Sequence, residues 1–175
     1  MVTIRMVAQG FRLIVLTLLL LANSWASAAG PRAKALNKFD AVDLQGICWN
    51  LDTMKGKVVL LEFWGTWCGG CIEDHKELRK VLEQYKERRF VILGIAFDSM
   101  DRQRFLTWLY DHKITWSQIL EQDGLDSRLR SLFDVSYFPS YMLVDREGKV
   151  SCTHRGPVRW KDDSFVTSIR TLCER

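Results

Sequence analysis

Two cysteines separated by two residues, Cys68-Gly69-Gly70-Cys71, lie between a run of apolar residues, Val58 to Leu61 followed by Glu62, Phe63 and Trp64, and a charged segment with helical periodicity. Thiols placed there stand where a strand hands over to a helix. The first turn of a helix leaves backbone N–H groups without partners and carries the positive end of the macrodipole, and both stabilise a thiolate. Cys68 is therefore the candidate nucleophile. Cys71 follows one helical turn later, within reach of a mixed disulfide formed on Cys68, and is the candidate resolving thiol that releases the partner.

Glu62 stands out because a carboxylate inside a run of buried strand residues is costly when ionised and unpaired. Burial disfavours the charged form of a carboxyl, so Glu62 is the candidate general base for Cys71, directly or through water. The competing reading is a strand-end acid that reaches solvent. Asp74, three residues after Cys71, is read as a solvated first-turn acid favoured by the helix dipole. His75 shares the face of Cys71 at i+4 and is read as a packed core histidine, with tuning of that thiol as the alternative. Trp67 offers a contact surface for partners beside Cys68, and Trp64 is a core candidate.

These groups need elements to position them. The nearly continuous apolar run Val58 to Trp64 predicts a central strand covered on both faces. Ile72, His75, Leu78, Val81, Leu82 and Tyr85 form a helical stripe, with Glu73/Lys76, Glu77/Lys80 and Glu83/Lys86 as i,i+3 pairs on a solvated face. Phe90 to Phe97 predicts a second buried strand, parallel to the first through a right-handed crossover. Asp98 or Ser99 is expected to cap the helix that carries Phe105, Leu106, Leu109 and Tyr110, and Ile114 to Leu120 reads as a loop with a short extended piece. Asp126 is expected to cap a brief helix with Leu129, Leu132 and Phe133. Tyr141 to Asp145 and Lys149 to Thr153 flank the turn Arg146-Glu147-Gly148 as a hairpin, and Asp162 or Asp163 opens a last helix. Phe39 to Leu51, with its Gln45-Gly46 turn, reads as an N-terminal hairpin.

The chain has 175 residues with 47% hydrophobic and 26% charged content, enough for one core and one domain. Arg5 and Arg12 precede an apolar run from Leu13 to Ala22, and Ser24 to Ala28 ends in an A-x-A pattern, which reads as a secretory signal at 1–28; an uncleaved anchor is the alternative. Residues 29–38 read as a linker and 39–175 as the folded domain. Export sets an oxidising compartment in which thiol exchange serves other proteins, so an exported, periplasmic or extracytoplasmic location is expected. The formal charge of +4 falls to +2 without Arg5 and Arg12, which argues against a nucleic-acid partner or a membrane surface beyond the N-terminus. Five cysteines leave at least one unpaired in a monomer. Cys152 and Cys173 are read as buried free thiols, with a bridge between them as the alternative. A zinc site of Cys68, Cys71, Cys152 and His154 has suitable ligand types, but the predicted strands place them at opposite ends, so neither metal nor cofactor is expected.

A strand, Trp-Cys-Gly-Gly-Cys at a helix start, a crossover, then Phe138-Pro139 before a hairpin and a final helix resemble the thioredoxin fold. Together with the signal-like N-terminus, the early hairpin, Phe63-Trp64-Gly65-Thr66-Trp67-Cys68 and the extra element between Asp98 and Phe133, they resemble the exported TlpA/ResA type of the redoxin (AhpC/TSA) superfamily. The resemblance covers about Phe39 to Cys173. It implies an α/β thioredoxin fold, a central mixed sheet flanked by helices, with an N-terminal β-hairpin and an inserted helix-containing element. It further implies a thiol:disulfide oxidoreductase acting on protein thiols and disulfides, in cytochrome c maturation or a related folding pathway, re-reduced by a membrane-bound electron donor. In such proteins the bond before Pro139 is cis and the Phe138 backbone pairs with substrate beside Cys68, so Phe138, Pro139 and Trp67 are the expected substrate-binding residues. The buried acid of thioredoxins stands where Glu62 stands, and the type often carries an acid, commonly Glu, at the position of Asp74. Gly69-Gly70 departs from the common Gly-Pro pair and leaves the direction of electron flow open. Thiol peroxidases of the superfamily carry Pro-x3-Thr/Ser-x2-Cys, which Thr66 and its surroundings do not match; that activity and a non-catalytic binding module are the alternatives.

Overall fold

A computed structural model describes residues 34–175. The signal-like segment 1–28 and the first part of the 29–38 stretch lie outside the described residues. The elements in order are β1 (Lys34–Ala35), β2 (Ala41–Val42), β3 (Cys48–Trp49), α1 (Leu51–Met54), β4 (Val58–Trp64), α2 (Gly69–Tyr85), β5 (Phe90–Phe97), α3 (Arg102–Asp111), β6 (Ser117–Glu121), α4 (Arg128–Leu132), β7 (Ser140–Val144), β8 (Lys149–Arg155) and α5 (Ser164–Glu174).

The main sheet has the order β1-β8-β7-β4-β5-β6. Its centre is β4, parallel to β5 and antiparallel to β7, and every residue of β4 is buried. Side chains of a strand alternate between faces, so β4 feeds two cores. Val58, Leu60 and Trp64 pack with Leu78 of α2, Phe105 and Leu109 of α3, and Phe165 and Ile169 of α5. Val59, Leu61 and Phe63 pack on the other face with Met54 of α1 and Leu129 of α4. By this alternation Glu62 belongs to the face covered by α2 and α3. The N-terminal hairpin forms as expected, β2 pairing antiparallel with β3 as a separate two-stranded sheet.

Four local expectations change. Lys34 and Ala35, assigned to the linker, pair with Val150 and Lys149 at the edge of the sheet. The loop expected at Ile114 to Leu120 contains a true strand, β6, parallel to β5. The cap of α3 is Asp101, whose carboxylate accepts from the Arg104 N–H; Asp98 is buried and serves the loop before Cys68 instead. The cap of α4 is Ser127, not Asp126, its hydroxyl oxygen accepting from the N–H groups of Leu129 and Arg130. All of these capping candidates are short polar residues of the kind that caps helices, and the winner is the one whose side chain the chain path aims back at the first turn.

Candidate active site

Cys68 is the N-cap of α2 and forms a disulfide with Cys71. The two sulfurs are not equivalent: Cys68 keeps 7% exposure and Cys71 has 0%. An incoming molecule therefore meets Cys68 first. The Sγ of Cys68 also accepts from the Cys71 N–H at 3.2 Å, one of the first-turn donors that would stabilise a thiolate there.

The loop ahead of Cys68 is pinned by Asp98, whose Oδ2 accepts from the Thr66 N–H at 3.0 Å and from the Thr66 hydroxyl. Trp67 stays 55% exposed while its indole N–H donates to the Phe97 carbonyl at 3.0 Å. Its ring meets Phe138 edge-on at 5.1 Å, and the Phe138–Pro139 bond is cis. Trp67, Phe138 and Pro139, remote in sequence, thus come together beside the disulfide. A side chain at Gly70 would stand 2.9 Å from Pro157 Cγ and 3.6 Å from Pro139 Cδ, so the first turn of α2 lies directly against these two proline rings.

Beneath the cysteines, Glu62 is fully buried and does not reach solvent. Its Oε1 is 2.8 Å from His75 Nε2, and its Oε2 accepts from the Trp116 indole N–H at 3.0 Å. His75 is buried as expected, but it is a paired residue and not merely a packed one. Trp64 and Trp116 meet its ring edge-on, at 4.7 and 5.5 Å.

Asp74 overturns its sequence reading as a solvated acid. It is buried, and its carboxylate accepts from the Tyr141 hydroxyl at 2.8 Å, the Val158 N–H at 3.1 Å and the Trp160 indole at 2.7 Å. These bonds tie α2 to β7 and to the segment between β8 and α5. Burial pushes Tyr141 well above its ordinary 10.0, and the charges of Glu62 and Asp74 push the same way. Nothing local in the sequence marks Asp98, Trp116, Tyr141 or Trp160 for these roles, since each meets its partner across long stretches of chain.

Cys152 and Cys173 are free thiols, and so is Cys48, which is exposed. Burial raises Cys152 and takes Cys173 from 9.0 up to about 11. His154 packs against the rings of Tyr141 and Phe165 and lies 3.7 Å from Asp163. Among the described residues no three His, Cys, Asp or Glu side chains are grouped as a metal site.

The AhpC/TSA family matches residues 32–152, most of the chain. The chain belongs to this family. Among its relatives, the thiol-disulfide oxidoreductase ResA of Bacillus thuringiensis (strain Al Hakam) is 28% identical over 125 residues, covering 67% of this chain and 65% of that protein. The thiol:disulfide interchange protein DsbE of Pasteurella multocida is 28% identical over 127 residues, covering 69% and 64%. The chain thus spans less than two thirds of the length of these relatives. The thioredoxin domain of a thiol-disulfide oxidoreductase from Bacteroides vulgatus superposes with a TM-score of 0.65 at 26% identity, covering 82% of this chain and 99% of that one. The thioredoxin fold of this AhpC/TSA member and its likeness to the ResA type agree with the sequence resemblance.

Proposed function

We propose that the protein is an extracytoplasmic thiol:disulfide oxidoreductase that reduces disulfides in protein partners. The observation that carries this reading is the Cys68–Cys71 pair itself, bonded at a helix N-terminus with only Cys68 retaining any exposure. In the reduced protein the Cys68 thiolate attacks a partner disulfide. An S–S bond forms to Cys68 and one partner sulfur leaves with its electron pair. Cys71 then loses its proton, attacks Cys68 Sγ and expels the second partner sulfur as a thiolate, which takes up a proton. The protein dithiol is oxidised and the partner disulfide reduced.

Glu62, the buried carboxylate on the α2 side of β4, assists removal of the Cys71 proton in this scheme. Trp67, Phe138 and Pro139 form the face on which an extended partner segment lies. The names of the ResA and DsbE relatives support thiol exchange as the chemistry, and the N-terminal signal pattern supports export. The setting we infer is cytochrome c maturation or a related folding pathway, with a membrane-bound electron donor restoring the dithiol. Among the described residues no helix is long and apolar enough to cross a membrane.

Insulin-disulfide reduction tests the assignment. Cys68→Ser is expected to abolish it, and Cys71→Ser to accumulate a mixed disulfide on Cys68. Full activity in Cys68→Ser overturns the reading, and rapid turnover of hydrogen peroxide by the wild type would assign a peroxidase instead.

A further inference from the structure

We propose that His75, not Glu62 itself, is the immediate proton acceptor for the Cys71 thiol, with Glu62 holding the imidazole in the tautomer that can accept. The proposal rests on the reading of Cys71 as the resolving thiol. Three observations carry it. First, both oxygens of the Glu62 carboxylate are already engaged, Oε1 by His75 and Oε2 by Trp116, so neither is free for a thiol. Second, His75 lies at i+4 from Cys71 on α2, and helical side chains lean toward the N-terminus, which sets the imidazole over the turn that carries Cys71. Third, His75 Nδ1 is buried and has no hydrogen-bond partner.

Buried polar atoms are nearly always paired, so an orphaned imidazole nitrogen demands a physical account. The disulfide supplies one: in that state Cys71 has no S–H to offer. Reduction creates an S–H donor one helical turn away. The tautomer follows from Glu62. Its Oε2 accepts from an indole, which only donates, and in the proposed arrangement Oε1 accepts in the same way from His75 Nε2–H, which leaves a lone pair on Nδ1. Thiol, imidazole and carboxylate then form a nucleophile, base and orienting group in series.

In the resolving step the Cys71 S–H bond breaks and an Nδ1–H bond forms. The imidazolium stays hydrogen-bonded to the Glu62 carboxylate, which offsets its charge. The Cys71 thiolate closes the S–S bond to Cys68, and the expelled partner thiolate ends the cycle by taking up a proton. The other buried titratable groups on β4, α2 and β7 are Glu62, then Cys71, Asp74 and Tyr85, then Tyr141; Arg79 and the other charged side chains of α2 are partly or fully exposed. Of these only Glu62 bonds the imidazole; Asp74 is held by Tyr141, Val158 and Trp160, and Arg79 donates to the His112 carbonyl.

The test is a single turnover of the reduced full chain with one equivalent of Ellman's reagent, in which attack by Cys68 releases the first thionitrobenzoate and resolution by Cys71 the second. His75→Gln keeps an N–H for Glu62 but removes the base. It is expected to leave the first phase unchanged and slow the second about a hundredfold, the lower end of general-base contributions. Its second phase should also move to higher pH, following ionisation of the thiol alone. An unchanged second phase, in rate and pH profile, overturns the proposal. A wild type with a normal first phase but no second phase sinks the resolving role of Cys71 and this proposal with it, whereas a normal wild type with an unaffected His75→Gln sinks only the role of His75. Should His75→Gln fail to fold, nitrogen NMR of the oxidised wild type decides: an Nε2–H tautomer with bare Nδ1 supports the proposal, and an Nδ1–H tautomer refutes it.

Discussion

The two glycines between the cysteines look interchangeable in sequence, and the structure predicts that they respond to alanine in opposite directions. At Gly69 a Cβ meets nothing within 4 Å. Gly69→Ala therefore stabilises the oxidised protein by up to about 1 kcal/mol, the helical advantage of Ala over Gly. At Gly70 the same methyl group arrives 2.9 Å from Pro157 Cγ and 3.6 Å from Pro139 Cδ. The first distance is shorter than carbon atoms tolerate, and a ring atom cannot swing away as a flexible side chain would. The Pro157 segment cannot shift freely either, because the next residue, Val158, donates its N–H to buried Asp74. Forcing a methyl into such a site costs roughly 1–3 kcal/mol. Helical propensity is common to both variants, so their difference isolates that cost. Urea unfolding followed by tryptophan fluorescence should place the Gly70→Ala midpoint roughly 0.5–1.5 M below that of Gly69→Ala, for an m-value of about 2 kcal/mol/M. Pro157→Ala removes the offending Cγ, so the double variant Gly70→Ala/Pro157→Ala should recover most of the loss as a positive coupling. Equal midpoints for the two single variants, or simple additivity with Pro157→Ala, would show that Pro157 does not crowd position 70.

Asp74→Asn leaves one acceptor oxygen for three donors and turns an amide N–H₂ toward them, so a loss on the order of 3 kcal/mol is expected in urea unfolding; a change below about 0.5 kcal/mol would show the three bonds to be dispensable. For Asp43, burial pushes the carboxyl up, but hydrogen bonds from Trp49, Ile47, Ser117 and Gln45 together hold it below its ordinary 3.8. A depressed folded value means that the ionised form contributes stability above the unfolded value, and that this contribution is lost as pH falls through the folded one. The unfolding midpoint should therefore drop between pH 5 and 2.5 more steeply in wild type than in Asp43→Asn, and parallel profiles would count against it. Cys173 at about 11 in place of 9.0 holds about a hundredfold less thiolate at pH 8. Iodoacetamide on the oxidised protein, read by peptide mass spectrometry, should label exposed Cys48 well before Cys152 or Cys173.

Some of this site is a local matter. A buried apolar run ending at Trp64, then Cys-x-x-Cys opening a charged helix, defines a strand-to-helix junction whatever surrounds it, because burial period and helix-end chemistry act over a few residues. Thus Val58 to Trp64 and Phe90 to Phe97 are strands with the bounds expected, Cys68 caps the helix, and Glu62, within a run that must be covered on both faces, is buried. Helix caps were less legible. Asp98, Asp101, Asp126 and Ser127 are all competent by type, and the choice among them depends on the path of the chain into the helix.

Which polar groups meet is settled by long-range packing. Asp74 looks like a surface acid in its helix, yet its partners stand 67, 84 and 86 residues away on β7 and the segment before α5. Glu62 could be recognised as a buried acid, but that His75 and Trp116 occupy its two oxygens follows from how α2 and the residue just before β6 come to lie against it. Gly70, by type no different from Gly69, is the one of the two whose missing side chain leaves room for Pro157. Where the reactive thiols stand, and on what elements, is legible in local sequence, since periodicity and helix-end electrostatics act over a few residues. The contacts that surround them are set by excluded volume and hydrogen-bond pairing between segments distant in the chain, and no local pattern encodes those.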